Sequence, residues 1–150
     1  MAKFVTELND DLKSFIAEQK MYFVATAPQE GRINLSPKGM DTLRIVDDKT
    51  VAYLDMTGSG NETAAHVDEN GRMTIMLTSF TKRAIILRLY GQARIVLPTH
   101  PEWDELYPLF PVLPAVRQIF VLEIVSISTS CGDSVPMYEF KNERQALCKY

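Results

Sequence analysis

Two short stretches hold the residues best suited to chemistry. TGSGNETAAHVDENG (Thr57–Gly71) is a Gly-rich turn running into a short helix, with strand-like VAYLDM before it and RMTIML after it. The first N–H groups of a helix have no partner inside it, so such a start is a natural anion site. The second stretch is RINLSPK (Arg32–Lys38). Strand alternation puts Ile33 and Leu35 on one face and Arg32, Asn34, Ser36 and Lys38 on the other. That polar face either lines a cleft or simply meets solvent.

The Gly-rich turn also has a plainer reading. Ser59-Gly60-Asn61-Glu62 has the form of a capping box, in which the Ser59 hydroxyl and the Glu62 carboxylate satisfy orphan N–H groups. Gly71 supplies the left-handed residue that ends the helix after Asn70. A dinucleotide-binding turn is disfavoured, although Gly58 and Gly60 make a GxG with Thr63 in the third place. The helix is only about ten residues long, no acid follows RMTIMLTSF to hold a ribose hydroxyl, and the strands come in hairpins.

Other candidates are sparser. In LRLYGQAR, Arg88, Tyr90, Gln92 and Arg94 share a face if the strand is regular, and Gly91 marks a place for a bulge. Cys131, in SCGDSVP, is open to three readings: a reactive thiol, a residue at a subunit interface, or an inert buried cysteine. Trp103, Tyr107 and Phe110 have the i, i+4, i+7 spacing of a packing face. No Cys, His, Asp or Glu cluster has metal-ligand spacing and no nucleophile elbow appears, so no metal site and no catalytic residue is assigned.

The elements that must position these residues are mainly strands. An amphipathic helix comes first, with Leu8, Leu12, Phe15 and Ile16 on one face and Glu7, Asp10 and Asp11 near its start. MYFVATA and RINLSPK form one hairpin, and LRIV and VAYLDM a second. RMTIMLTSF, AIILRLYGQARIVL and QIFVLEIVSIS supply further strands. Between the last two lies PTHPEWDELYPLFPVLPAVR, with five prolines, read as two short helical turns over one barrel end. The fold class is mainly β (α+β): an antiparallel split β-barrel of six or seven strands with peripheral helices, in one domain over 1–150.

Composition limits the function classes. Apolar residues are 46% and charged residues 23%, as in soluble globular proteins. No apolar run reaches the length of a membrane span, and the N-terminus turns acidic where a signal peptide would be apolar. A net charge of −3 with scattered basic residues argues against nucleic-acid partners. Two cysteines, Cys131 and Cys148, are too few for a disulfide framework, and the expected location is cytoplasmic.

From Phe23 to Val96 the chain resembles the FMN-binding split-barrel family typified by pyridoxamine 5′-phosphate oxidase. The matching pieces are FVATAPQEGRINLSPKG, DDKTVAYLD, GSGNETAAHVDENGRMTIML and LRLYGQARIV. The turn GSGNETAAH and the downstream SCGDSVP resemble the family's smaller, uncharacterised members. The resemblance implies a homodimer with one FMN in each of two interface clefts, acting as an FMN-dependent oxidoreductase on a small molecule. The alternative is a non-catalytic flavin-binding module, or one that binds haem or another small molecule. It further implies that Asn34, Leu35, Ser36, Pro37 and Lys38 line the flavin cleft, and that Ser59, Gly60, Asn61 and Thr63 lie at the phosphate. Gln92 would hydrogen-bond the flavin, and the Cys131 loop would lie near the partner's cleft. The chain departs from the oxidase in two places. Glu62-Thr63 stands where the oxidase has an Arg-Lys pair, which leaves Lys38 as the principal nearby cation. The oxidase's C-terminal substrate-binding strand is not recognisable, so pyridoxamine phosphate is not the expected substrate.

Overall fold

Strand alternation closes this chain into a split barrel. The computed structural model describes residues 1–58 and 61–149. The order is β1 (Lys3–Val5), α1 (Asp10–Glu18), β2 (Tyr22–Thr26), β3 (Asn34–Lys38), β4 (Leu43–Asp47), β5 (Thr50–Met56), α2 (Glu62–Asn70), β6 (Arg72–Thr78), β7 (Ile85–Val96), α3 (Trp103–Leu106) and β8 (Val116–Cys131). All pairings are antiparallel, in the order β3-β2-β6-β7-β8-β5-β4, with β1 added to the second half of β8. The eighth strand, beyond the expected six or seven, is β1. Its three residues are all exposed, too short a run to show a period.

The two faces of the sheet make two cores. Val24, Tyr53, Ile75, Leu77, Leu87, Leu89, Phe120 and Leu122 point inward and interlock. The alternate residues Ala52, Leu54, Ile119 and Val121 point outward. The Pro-rich segment was expected over a barrel end. It does form two short turns, α3 and a 3₁₀ turn at Tyr107–Leu109, but they cover the outer face of β5 and β8. Leu54 and Val121 alternate with the interior residues and would otherwise be bare, which is why the segment lies there. Trp103 and Tyr107 stack at 5.0 Å, and Phe110 is buried beside them, so these aromatics do pack.

Helix α1 plugs one end of the barrel. Asn9 caps it by accepting from the Leu12 N–H at 2.9 Å, and Leu12, Phe15 and Ile16 enter the core. Tyr22 and Tyr53 are buried within the barrel, and burial pushes both phenols above the ordinary tyrosine range. Gly91 sits at a register shift between β7 and β8, where a Cβ would come 1.9 Å from the Glu123 carbonyl oxygen. No side chain fits there, which explains the glycine in the longest strand.

The outermost strands β3 and β4 do not pair with each other. The turn between them has Met40 and Asp41 at φ 59° and 56°, a left-handed pair unusual for residues with side chains. Arg44 holds it with two hydrogen bonds to the Asp41 carboxylate, at 2.8 and 2.9 Å, and Thr42 Oγ1 donates to the Gly39 carbonyl. The seam left beside β3 is where polar side chains gather.

Candidate functional site

The site begins with an acid in an apolar strand. Along β5, Val51, Tyr53 and Asp55 share the inward face, so Asp55 enters the barrel mouth with only 5% of its side chain exposed. A carboxylate that deep is costly unless several donors meet it. Four bonds do. Arg117 donates from Nε and Nη2 at 3.1 and 3.0 Å, Gln118 Nε2 at 2.9 Å, and Lys38 Nζ at 3.4 Å. The Lys38–Asp55 pair spans the seam, tying edge strand β3 to β5.

Neighbouring residues extend this cluster to α2. Gln118, itself buried, also donates to the Asn61 Oδ1 at 3.1 Å. Asn34 Nδ2 donates to Thr63 Oγ1 at 3.1 Å and to Ser36 Oγ at 3.3 Å. The polar face of RINLSPK therefore turns inward. Asn34, Ser36 and Lys38 pair with Thr26, Val24 and Tyr22 and continue the interior face of β2, all three half-buried. Arg32 and Ile33 precede the strand, which starts at Asn34.

The capping box expected here begins at Ser59, which lies outside the described residues, but its other half, Glu62, does not stand at the third helical position. The N-cap of α2 is Asn61, two residues later than expected, and it makes no side-chain capping bond. Glu62 is then the first helical residue rather than the third, too early to reach back in a capping box. The competing partner is Gln118, which engages the Asn61 carboxamide. The far end of the helix is as expected: Gly71 is left-handed at φ 71° and its N–H bonds the Val67 carbonyl. His66 and Asn70 fix the helix to β2 and the loop after it, bonding Thr26 Oγ1 at 2.9 Å and the Ala27 carbonyl at 2.8 Å.

Asn34, Ser36, Lys38, Asn61 and Thr63 thus come together within one chain. Leu35 and Pro37 are exposed on the opposite face of β3. Ser59 and Gly60 lie outside the described residues. Gln92 is elsewhere: its Oε1 lies against Gly71, 2.6 Å from where a Cβ would be, at the opposite end of α2. Cys131 ends β8, the strand whose other end holds Gln118, and it is exposed, so the buried reading of this cysteine fails. It pairs with Ile85, too near the strand end to be covered.

Sequence reasoning missed Asp55, Arg117 and Gln118. The signal for Asp55 was an acid inside VAYLDM. Arg117 fell at the boundary between the Pro-rich segment and the strand, and it corrects the expectation that Lys38 is the principal cation. Together Lys38 and Arg117 put two cations at this mouth beside amide and hydroxyl groups, with Asp55 inside and the exposed Glu62 outside. Beside Lys38, on the outer face of β2 and β3, a groove of about 900 Å³ is lined by Phe23, Pro37, Phe80, Tyr138 and Phe140.

Known proteins share this architecture. The family model for pyridoxamine 5′-phosphate oxidase matches residues 8–131. The pyridoxamine 5′-phosphate oxidase family protein ustO of Aspergillus flavus is 35% identical over 144 residues, covering 93% of this chain and 58% of that protein. The chain therefore spans somewhat more than half the length of this curated relative. Among solved structures, HupZ of Group A Streptococcus superposes with a TM-score of 0.62 at 22% identity, covering 80% of this chain and 91% of that one. An FMN-binding protein from Syntrophomonas wolfei gives 0.55 at 19% identity, covering 83% and 82%. At these identities the structural likeness establishes the fold. The sequence match runs from the approach to α1 through the end of β8, and the chain belongs to the pyridoxamine 5′-phosphate oxidase family.

Proposed function

We propose that the chain is a single FMN-binding split-barrel domain that works as an FMN-dependent oxidoreductase on a small molecule. The observation that carries this is the start of α2, whose N-cap side chain makes no capping bond, at the mouth where Lys38 converges with the β8 residues. Its N-cap carboxamide is engaged by Gln118, and among the described residues no side chain caps the first turn. The donor set fits a phosphate: helix-start N–H groups, a lysine, an arginine and the Thr63 hydroxyl, all at the rim of a barrel. Such sites use the flavin for hydride or electron transfer, while the protein binds and orients it and excludes water. That division of labour suits a site without an acid–base pair of its own.

A homodimer is part of this reading. Leu35 is 63% exposed on the outer face of β3, and Ile33, just before the strand, is 76% exposed. A ring lying against that strand in a lone subunit would stay half in water, and a second subunit would cover it. Cytoplasmic placement suits the two cysteines, Cys131 and Cys148, both free and exposed. No helix among the described residues is long and apolar enough to cross a membrane.

Titration of the purified protein with FMN and with riboflavin, followed by flavin fluorescence, tests the phosphate assignment. FMN should bind at least about tenfold more tightly, the worth of one charge-assisted hydrogen bond. Light scattering of the same sample should give a dimer. Equal affinities for the two flavins would return the start of α2 to a purely structural role.

A further inference from the structure

We propose that Arg117 is the second phosphate cation of this site, aimed there by a β-bulge at the start of β8 and held in waiting by Asp55. The inference rests on the FMN reading above. It accounts for how a phosphate is held when Glu62-Thr63 occupies the start of α2.

The geometry begins with the pairing of β5 and β8. Asp55 faces Gln118 and Met56 faces Val116, so Arg117 is the extra residue of a bulge. Consecutive residues of a regular strand point to opposite faces. Here Arg117 and Gln118 both reach the same Asp55 oxygen, Oδ2. The bulge re-aims Arg117 from the outer face to the mouth. Just before it, Ala115 is held left-handed at φ 57°, and its carbonyl accepts from both Thr57 N–H and Thr57 Oγ1, at 2.7 and 2.6 Å. The turn that leads into α2 thus pins the start of the strand carrying Arg117.

The charges are arranged so that a solvent-borne anion meets cations first. Asp55 is 5% exposed, whereas the Lys38 and Arg117 side chains are each 26% exposed. Arg117 uses Nε and Nη2 on Asp55 and the Met56 carbonyl, and its Nη1 donates to no described residue. A guanidinium presents its five N–H groups in a rigid fork, so it serves one carboxylate and a second anion together. Two cations against one buried acid leave a single positive charge in the Asp55 cluster, with the exposed Glu62 at the start of α2. Without a ligand, Asp55 keeps both cations in place, so a phosphate finds them already ordered.

The experiment compares FMN and riboflavin affinities in the parent, Arg117→Gln and Arg117→Lys, with Arg94→Gln, at the distant Glu102 ion pair, as control. Arg117→Gln should weaken FMN binding by about ten- to a hundredfold. It should leave riboflavin within about twofold, because only the phosphate contact is lost. Arg117→Lys should recover part of the preference, and Arg94→Gln should change nothing. Should Arg117→Gln fail to fold with Asp55 underpaired, Asp55→Asn and Asp55→Asn/Arg117→Gln supply the comparison, and the second change should bring the same loss. If the parent prefers FMN and the preference survives loss of Arg117 in either background, Arg117 is structural only and the proposal is overturned. If the parent shows no preference, the FMN reading itself falls and takes this inference with it.

Discussion

Helices α1 and α2 are both nine residues long, and both have an asparagine at the N-cap. Asn9 accepts from the Leu12 N–H and closes its own helix start. Asn61 accepts instead from Gln118, across the barrel mouth, and makes no capping bond to its own helix. The helix bodies differ in the same sense. α1 sends Leu12, Phe15 and Ile16 into the apolar interior, whereas α2 adds only Ala64 and Val67 to that core and turns Asn61 and Thr63 to Gln118 and Asn34. One end of the barrel is finished within the chain. The other is built from groups that satisfy one another while keeping donors toward solvent. The same residue at the same helix position thus closes its helix at one end and reaches across the barrel mouth to Gln118 at the other.

The comparison is broken most forcefully at the apolar end. Phe15 is fully buried and central to the α1 plug. Phe15→Ala should lower unfolding stability by about 3–5 kcal/mol, through lost transfer energy and the cavity left behind. FMN affinity of the folded fraction should stay unchanged, since the cavity lies at the other end of the barrel. Denaturant unfolding and flavin titration on one preparation measure both. A stability loss below about 1 kcal/mol would mean that α1 is not the structural end.

At the polar end the expected effect is on the ligand. Lys38→Ala should weaken FMN binding by about ten- to a hundredfold, through loss of a charge-assisted contact worth roughly 1.5–3 kcal/mol. The fold should survive, because Asp55 keeps the bonds from Arg117 and Gln118. Unchanged FMN affinity would make Lys38 a seam-closing residue and nothing more.

How much of this was legible differs between the two ends. The spacing of Leu8, Leu12, Phe15 and Ile16 was enough to place α1 and its buried face, because apolar periodicity and burial are the same fact. The hairpins β2–β3 and β4–β5, the bulge at Gly91 and the left-handed Gly71 followed from alternation and glycine chemistry. The mouth was half legible. Asn34, Ser36 and Lys38 were found because alternation puts them on one face, and Asn61 and Thr63 because helix starts have open donors. Asp55 and Gln118 keep the alternation but are polar residues in apolar strands, and Arg117 was not legible because a bulge sets alternation aside at the point where it and Gln118 share a partner. The capping box was misplaced for a related reason. A local motif competes with long-range partners, and Gln118 is 57 residues from Asn61.

The smallest expected effect separates the two asparagines themselves. Asn9→Ala removes a capping bond and should cost about 1 kcal/mol of unfolding free energy. Asn61→Ala removes no cap, and the Gln118 amide keeps its bond to Asp55, so the cost should be only a few tenths of a kcal/mol. Paired denaturant melts without flavin are sufficient, because the difference between the variants is larger than its uncertainty when both are measured against one parent. The same pair with FMN sharpens the result. A ligand stabilises the folded state in proportion to its saturation, and Asn9→Ala should keep the parent's full FMN-induced shift. If Asn61→Ala costs as much as Asn9→Ala in the absence of flavin, then Asn61 caps α2 in solution. The helix start would then be closed by its own side chain, and the two ends of the barrel would be alike.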